Sequence, residues 1–224
     1  MATSDDIRGR LEAAGLPYLS NDNVSRAVQP GDLTRIEEEV AGHVRGLLRS
    51  LVIDVDRDPG SQKTPERVAK MLVREVMCGR YEPVPAVTSF ENTRELDEVY
   101  AVGPVDVRSM CSHHLVPVVG RAWVGVLPDR KLIGLSKFSR LTSWVMARPQ
   151  MQEEATIQLA DLLEEMIEPR GLALVVRASH MCMTWRGVRD SSAEMVTSVM
   201  RGAFLEKPAA RAEFLALARP TRST

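Results

Sequence analysis

The sequence predicts an α+β protein whose sheet is mostly antiparallel. Amphipathic helical patterns occur in two pairs and strand patterns follow each pair, which gives the order helix-helix, strands, helix-helix, strands. A chain of 224 residues with 44% hydrophobic residues is long enough to bury a substantial core. These observations favour one sizeable domain, or a domain with a helical extension.

The first pair of helices follows a segment without clear structure. Apolar residues recur at helical spacing from Leu33 to Leu51, which predicts an amphipathic helix. The turn-rich segment at 54–62, DVDRDPGSQ, ends it. Thr64 and Pro65 then offer an N-cap and a first-turn residue for a second helix that extends to about Met77.

Strand character begins near Glu98 and is strongest in VYAVGPVDV, which is rich in β-branched residues. It resumes in LVPVVGRAWVGVLP, at 115–128, where Gly120 and Pro128 delimit two pieces. We therefore expect a β-hairpin in this part of the chain.

The second pair of helices leads into the last strands. Ser136 is expected to cap one helix, and Pro149 to open another with a single apolar stripe. A long strand is predicted at 172–185 and a shorter one at 194–200, followed by a terminal helix at 207–218. This completes an antiparallel sheet with helices on one side.

Three segments are expected along the chain. Residues 1–32 lack sustained periodicity and are interpreted as a mobile N-terminal extension. Residues 33–218 form the predicted domain, and residues 219–224 a C-terminal tail. No chemistry is assigned to the extension or the tail.

Composition excludes several classes of protein. A formal net charge of −1 gives no general attraction to nucleic acid or to a membrane. The first residues, MATSDDIRGRLEAAG, lack the basic end and apolar run of a signal peptide, and no later stretch has the composition of a membrane span. We expect a cytoplasmic protein. In that compartment three cysteines indicate metal binding, catalysis or core packing rather than disulfides, and Cys78 is interpreted as a core residue.

Soft metal ligands are concentrated in SMCSHHLVP, at 109–117, and SHMCM, at 179–183. Of four histidines and three cysteines in the chain, five lie in these two segments. Zinc favours thiolate and imidazole, and three protein ligands leave a position for water. A turn between ligands two residues apart would bring Cys111 and His114 together, so we predict Cys111, His114 and Cys182 as metal ligands.

Two further histidines are expected beside the metal. His113 would lie next to it without binding it, where it could transfer protons at near-neutral pH. His180 and Cys182 are two apart on the predicted strand and would therefore share a face. We predict His113 and His180 as proton carriers in a catalytic zinc site.

Other interpretations of this pattern stay open or are excluded. A structural zinc finger would need His113 or His180 as a fourth ligand. A nucleobase deaminase would need H-x-E and P-C-x-x-C, which the chain lacks. His43, alone on the first helix, is interpreted as structural.

Basic residues suggest a site for an anion. In GLSKFSR a glycine precedes the start of a helix, and Lys137 and Arg140 lie three residues apart on it. Arg186 and Arg189 add positive charge after Cys182. Arg67 and Lys70 form a similar pair on the second helix, although exposed helix charges are an equally good interpretation.

A short polar segment opens the helix after Pro149. An acidic residue in a first turn favours the helix dipole, which is sufficient reason for Glu154. Gln152 and Glu153 have a second interpretation, because an amide beside a carboxylate can donate and accept hydrogen bonds at a purine edge. Spacing alone does not decide between these interpretations.

Taken together, the motifs TPERVAKM, SMCSHHLVPVVGRAWVG, IGLSKFSRL, RPQMQEE and HMCMTWRGVRD resemble GTP cyclohydrolase I in content and order. The resemblance covers roughly residues 33–218. It implies hydrolytic opening of the guanine imidazole ring of GTP, release of C8 as formate, and formation of 7,8-dihydroneopterin triphosphate. It also implies a Zn²⁺ cofactor, a tunnelling fold and a homodecamer with active sites between subunits.

The resemblance also assigns roles to individual residues. It implies Cys111, His114 and Cys182 as zinc ligands, and His113 and His180 as proton-transfer residues. The implied guanine anchors are Gln152 and Glu153. The implied triphosphate contacts are Ser136, Lys137, Arg140 and Arg186, with Arg67 and Lys70 contributed across a subunit boundary.

Two positions depart from the family pattern. Ser112 stands where many members have an acid, which could alter proton affinity at His113, and Glu154 stands where many have a basic residue. The alternatives that remain are a related pterin or 7-deazaguanine enzyme such as a nitrile reductase, which should lack the three-ligand metal site, and a non-catalytic family member. The sequence does not indicate whether the product feeds folate, a biopterin-like cofactor or 7-deazaguanine.

Overall fold

The computed structural model describes residues 2–218, and the predicted tail at 219–224 lies outside them. The chain divides into two compact units between residues 83 and 84. The domain boundaries at residues 32 and 218 stay predictions. Within the described part, no helix combines the length and apolarity needed to cross a membrane.

The N-terminal unit is helical. Its elements are α1 (Thr3–Ala13), a 3₁₀ turn (Ser25–Ala27), α2 (Asp32–Ser50), α3 (Thr64–Lys70), a π-helical stretch (Met71–Val76) and α4 (Cys78–Tyr81). The two predicted helices are confirmed. Thr64 is the first helical residue rather than the N-cap, which is Lys63, and Pro65 lies in the first turn as predicted.

The segment predicted as a mobile extension contains α1, which the sequence pattern did not reveal. Ile7 and Leu11, one turn apart, are its buried residues, and they pack with Ile36 and Val73. Two buried apolar side chains in eleven residues make a weak periodic signal. Tertiary contacts with α2, rather than a strong local pattern, therefore account for this helix.

The C-terminal unit is built on a five-stranded sheet. Its elements are β1 (Ser89–Glu91), β2 (Tyr100–Cys111), β3 (Pro117–Leu127), β4 (Lys131–Ile133), α5 (Leu135–Met146), β5 (Pro149–Gln150), α6 (Gln152–Ile167), β6 (Gly171–His180), α7 (Met181–Thr184), β7 (Met195–Gly202), α8 (Ala203–Glu206) and α9 (Pro208–Leu217). The strand order is β5-β2-β3-β6-β7, and only the β2-β5 pair is parallel in this sheet. The predicted α+β class with a mostly antiparallel sheet is confirmed.

Helices pack on both faces of this sheet, so the expectation of helices on one side is wrong. Val124 and Leu174 face the core formed with α5 and α6. Their strand neighbours Trp123 and Val175 point the other way and pack with Phe204 and Phe214, from α8 and α9. Apolar residues on both faces of β3 and β6 therefore require cover on both sides.

Three local predictions need correction. Gly120 does not divide β3, because it lies within the strand, where a Cβ would collide with the carbonyl oxygen of Arg177 on β6. Pro149 belongs to β5, and α6 begins at Gln152. The long strand predicted at 172–185 ends at His180, so Cys182 lies on the short helix α7 rather than on the same strand face as His180.

Candidate metal centre

The connection between β2 and β3 is a tight loop that carries both adjacent histidines. Leu115 donates a backbone hydrogen bond to the carbonyl of Cys111, and Cys111 donates one to the carbonyl of Val116, each over 2.9 Å. Leu115 adopts a left-handed conformation with φ 52°. The chain thus turns back on itself directly after β2, as the hairpin prediction required.

The turn brings His114 to Cys111, and α7 brings Cys182 to both. The Nδ1 atom of His114 lies 3.9 Å from Sγ of Cys111. One donor atom from each of Cys111, His114 and Cys182 lies within 4.8 Å of the others. We call these three residues the Cys-His-Cys cluster. It contains the three residues predicted as metal ligands.

The donors in this cluster fit a zinc ion. Bonds of about 2.3 Å to sulfur and about 2.0 Å to nitrogen in a tetrahedral site place neighbouring donors roughly 3.5 to 4 Å apart, close to the separation of Cys111 and His114. Burial, and next the nearby Cys111 thiol, raise the pKa of the Cys182 thiol. A bound cation would offset both effects, because it stabilises the thiolates.

His113 lies beside the cluster without joining it. Its Nδ1 atom is 3.7 Å from Sγ of Cys111, and its ring centroid is 6.3 Å from that of His114. Among the described residues, the only group that meets the metal-binding distance criterion contains neither His113 nor His180. This arrangement favours three protein ligands over the four of a zinc finger.

His180, the last residue of β6, contacts the first residue of α6. Its Nε2 atom lies 2.8 Å from Oε1 of Gln152. Burial lowers the pKa of His180, while the charge of nearby Glu153 acts in the opposite direction. Gln152 is buried, whereas Glu153 is exposed in the first turn.

The predicted anion-binding residues fall into three places. Arg186 is close to the cluster, with its Nη1 atom 2.9 Å from Nε2 of His114. Ser136, Lys137 and Arg140 lie in the first two turns of α5, as predicted, and α5 packs against β2.

Arg67 and Lys70 lie on α3, in the N-terminal unit, whereas the Cys-His-Cys cluster belongs to the C-terminal unit. Together with Lys63 and Arg45 they line a cavity of about 590 Å³, which also contains Asp56 and Glu66. Both acids are paired with Arg45. The cavity walls thus retain a positive balance on the side of α3.

Sequence reasoning missed two threonines at the site. Thr156 on α6 and Thr197 on β7 form a hydrogen bond of 2.7 Å between their hydroxyl groups, and both contact Gln152. Thr197 is common strand composition and Thr156 lies on an ordinary helix. No local pattern could have identified them, because they are 41 residues apart.

The fold and the cluster define an α+β protein with a Cys-His-Cys group suited to a metal. The chain matches the family model for GTP cyclohydrolase I over residues 40–219. GTP cyclohydrolase 1 of Aeromonas hydrophila subsp. hydrophila is 37% identical over 213 residues, with 94% of each chain covered. The enzyme of the same name from Chlorobaculum tepidum is 40% identical over 184 residues, covering 81% of this chain and 82% of the relative. This chain belongs to the GTP cyclohydrolase I family.

A solved structure of an archaeosine synthase QueF-Like protein in the apo form also shows a remote similarity. It has 12% sequence identity and a TM-score of 0.37, and it covers 54% of this chain and 97% of that chain. These values are too low to support a conclusion about fold or function.

Proposed function

We propose that this protein is a zinc-dependent GTP cyclohydrolase I, which hydrolyses the guanine imidazole ring of GTP, releases formate and forms 7,8-dihydroneopterin triphosphate. The observation that carries this proposal is the Cys-His-Cys cluster, with His113 and His180 nearby, in a member of this family. Relatives named GTP cyclohydrolase 1 align with more than nine tenths of the chain, which supports the same activity.

Cys111, His114 and Cys182 would hold the zinc. When bound by three protein ligands, zinc lowers the pKa of a coordinated water to near 7 and so supplies a nucleophile for hydrolysis. Val118 and Ala178 are buried beside the two cysteines. These apolar side chains limit water around the thiolates and so strengthen their attraction to a cation.

His113 and His180 would move the protons that ring opening requires. A purine ring nitrogen becomes a better leaving group when an adjacent acid protonates it, and an imidazole has a suitable pKa for that task. His113 comes from the β2-β3 loop and His180 from the end of β6, so the two rings approach the cluster from different elements.

Exposed polar residues would bind the substrate. Glu153 is proposed as a guanine anchor, because its carboxylate is free to accept hydrogen bonds from a purine edge. The proposed triphosphate contacts are Ser136, Lys137, Arg140 and Arg186. Gln152, expected as a second anchor, has its amide nitrogen occupied by contacts within the protein.

We also propose that Arg67 and Lys70 reach the triphosphate from a neighbouring copy, in a tunnelling-fold homodecamer. Their position beside a cavity in the N-terminal unit, away from their own Cys-His-Cys unit along the chain, agrees with a contribution across a subunit boundary. The outer edge of β7 in this chain is a surface on which another copy could add strands. Light scattering of the purified protein measures the size of the assembly.

Formate release from GTP tests the activity. Zinc-loaded protein should convert GTP to equal amounts of formate and a pterin triphosphate, both measured by chromatography. Removal of zinc with a chelator should abolish turnover, and restoring zinc should recover it. Zinc-replete, folded protein that releases no formate from GTP would overturn the proposed activity.

A further inference from the structure

We infer that Gln152 and Thr197 position His180, so that its Nε2 atom carries a hydrogen and its Nδ1 atom exchanges the proton with the substrate. Gln152 is then a positioning residue rather than a guanine contact. The reaction named in this inference rests on the proposed function. The protonation pattern of the ring rests on hydrogen-bond geometry alone.

The orientation of the Gln152 amide is determined by its surroundings. Nε2 lies 3.2 Å from the carbonyl oxygen of Val176, 3.2 Å from that of Met195 and 3.0 Å from Oγ1 of Thr197. Carbonyl oxygens only accept hydrogen bonds, so an amide oxygen at this position would face two acceptors inside the protein. The NH₂ group must therefore lie on this side.

Thr197 and Thr156 reinforce this orientation. Oγ1 of Thr156 donates to the backbone carbonyl of Gln152 over 2.6 Å, which uses its single hydrogen. In the 2.7 Å contact between the two hydroxyls, Thr197 must then be the donor. Its own hydrogen is thus used, and Thr197 accepts from the Gln152 amide. The result is a closed ring of hydrogen bonds in which each hydroxyl donates once.

With the amide nitrogen held on one side, its oxygen faces His180. Oε1 of Gln152 only accepts, so the ring atom 2.8 Å away, Nε2, must carry a hydrogen. In the neutral imidazole this leaves Nδ1 without one. Since Gln152 is buried and Thr156 is almost fully buried, water does not compete for these contacts.

This pattern specifies how His180 moves a proton. In the protonated ring both nitrogens carry hydrogen. The Nδ1–H bond breaks while an N–H bond forms on the purine nitrogen, and the neutral imidazole keeps its Nε2 hydrogen on Gln152. No hydrogen needs to move along the Gln152-Thr197-Thr156 chain, whose task is to fix the ring and its tautomer.

Solid-state ¹⁵N spectroscopy of the zinc-loaded protein, labelled at histidine and studied without substrate, tests the tautomer directly. The chain has four histidines, so the His180→Asn variant assigns the His180 signals. At a pH where the ring is neutral, we expect a protonated Nε2 and an unprotonated Nδ1. The opposite tautomer would overturn the inference, whether or not the protein turns over GTP.

Kinetics test the positioning role. Thr197→Val keeps the side-chain shape but removes the hydroxyl, and we expect kcat to fall by roughly 10-fold with KM nearly unchanged, the lower end for loss of an outer hydrogen bond. Thr197→Ser should restore kcat. Ser198→Ala, at the exposed neighbouring position on β7, is the matched control and should behave as the wild type.

Gln152→Leu separates positioning from substrate contact. We expect mixed His180 tautomers and a lower kcat. A raised KM with unchanged kcat would instead make Gln152 a guanine contact and would overturn the inference. If Gln152→Leu does not fold, the wild-type spectrum and the Thr197 pair still decide the question. Wild-type protein with the expected tautomer but no formate release would overturn only the proposed activity.

Discussion

Arg186 and Cys111 contact opposite nitrogens of the same histidine. Nε2 of His114 lies 2.9 Å from Nη1 of Arg186, while Nδ1 lies 3.9 Å from Sγ of Cys111. A neutral imidazole that binds a metal through Nδ1 carries a hydrogen on Nε2, but arginine is only a donor. The Arg186 contact and metal binding therefore oppose one another, unlike the usual support of a metal-bound histidine by an acceptor.

This opposition predicts that Arg186→Ala binds zinc more tightly than the wild type. Loss of one hydrogen bond to a charged group, of about 1 kcal/mol, corresponds to roughly 5-fold in affinity. Competition between zinc-free protein and a chromogenic chelator measures it, with Arg189→Ala as control. The same Arg186→Ala variant should show a higher KM for GTP, because the proposed triphosphate contact is lost. Unchanged or weaker zinc binding would show that Arg186 does not compete with the metal.

The three cluster residues should each be necessary for zinc. Cys111→Ala, His114→Ala and Cys182→Ala should all contain well below one zinc per chain after dialysis, because two thiolates and one imidazole supply the whole protein shell. Cys78→Ala, in the N-terminal unit, should keep its zinc. Elemental analysis measures all four. Stoichiometric zinc in the three cluster variants would exclude this ligand set.

The sequence was most informative where chemistry depends on close neighbours. Cys111 and His114 are three residues apart, and ligand spacing predicted the turn that joins them. The position of Cys182 was also predicted to be near the cluster, but its element was not. The apolar pattern of β6 continues past His180 without a break signal, so the helical turn at Met181–Thr184 was read as strand.

Contacts between distant residues account for most of what the sequence did not reveal. The Arg186-His114 contact joins residues 72 positions apart, and the Gln152-Thr197 contact joins residues 45 apart. Such pairs depend on strand order and register, which local periodicity does not encode. Likewise, the apolar residues on both faces of β3 gave no indication that α9 covers the second face.

Substitution of the proposed triphosphate contacts should mainly affect binding. Lys137→Ala and Arg140→Ala should raise KM for GTP with little change in kcat, because contacts remote from C8 stabilise ground and transition states alike. Steady-state kinetics measure both constants. Guanosine, which lacks the phosphates, should bind more weakly than GTP to the wild type. Equal binding of the two would exclude this contact region.

A buried carboxylate in the N-terminal unit predicts a loss of stability in acid. Asp32 is 1% exposed. Burial alone would raise its pKa, but hydrogen bonds from the Gln29 backbone, Arg10 and Arg35 outweigh it, and the pKa is lowered. The folded pKa lies below the unfolded one, so the stabilisation is present above the unfolded value of about 3.9 and is lost as pH falls through the folded value.

Asp32→Asn should therefore destabilise α1 and α2 by about 1–2 kcal/mol at neutral pH, and the difference from the wild type should shrink as the pH falls below about 4. Hydrogen exchange of the α1 and α2 amides measures local stability. Asp5→Asn, which affects an exposed pair with Arg8, is the control and should have little effect. A destabilisation that stays constant down to strong acid would show that the Asp32 charge does not contribute.

The last prediction separates the two adjacent histidines. Distance to Cys111 does not distinguish them, since Nδ1 of His113 lies at 3.7 Å and Nδ1 of His114 at 3.9 Å from its sulfur. The third ligand does, because His114 shares the cluster with Cys182 and His113 does not. We therefore expect His113→Ala to keep its zinc and most of its GTP affinity.

Turnover of His113→Ala should fall by roughly two to four orders of magnitude, the range for loss of a general acid or base. Zinc content, KM and kcat, measured on the same preparation, separate this outcome from loss of metal. His114→Ala is the matched variant and should lose zinc and turnover together. The reverse result, with zinc lost from His113→Ala and kept in His114→Ala, would mean that the β2-β3 loop presents the other ring to the metal.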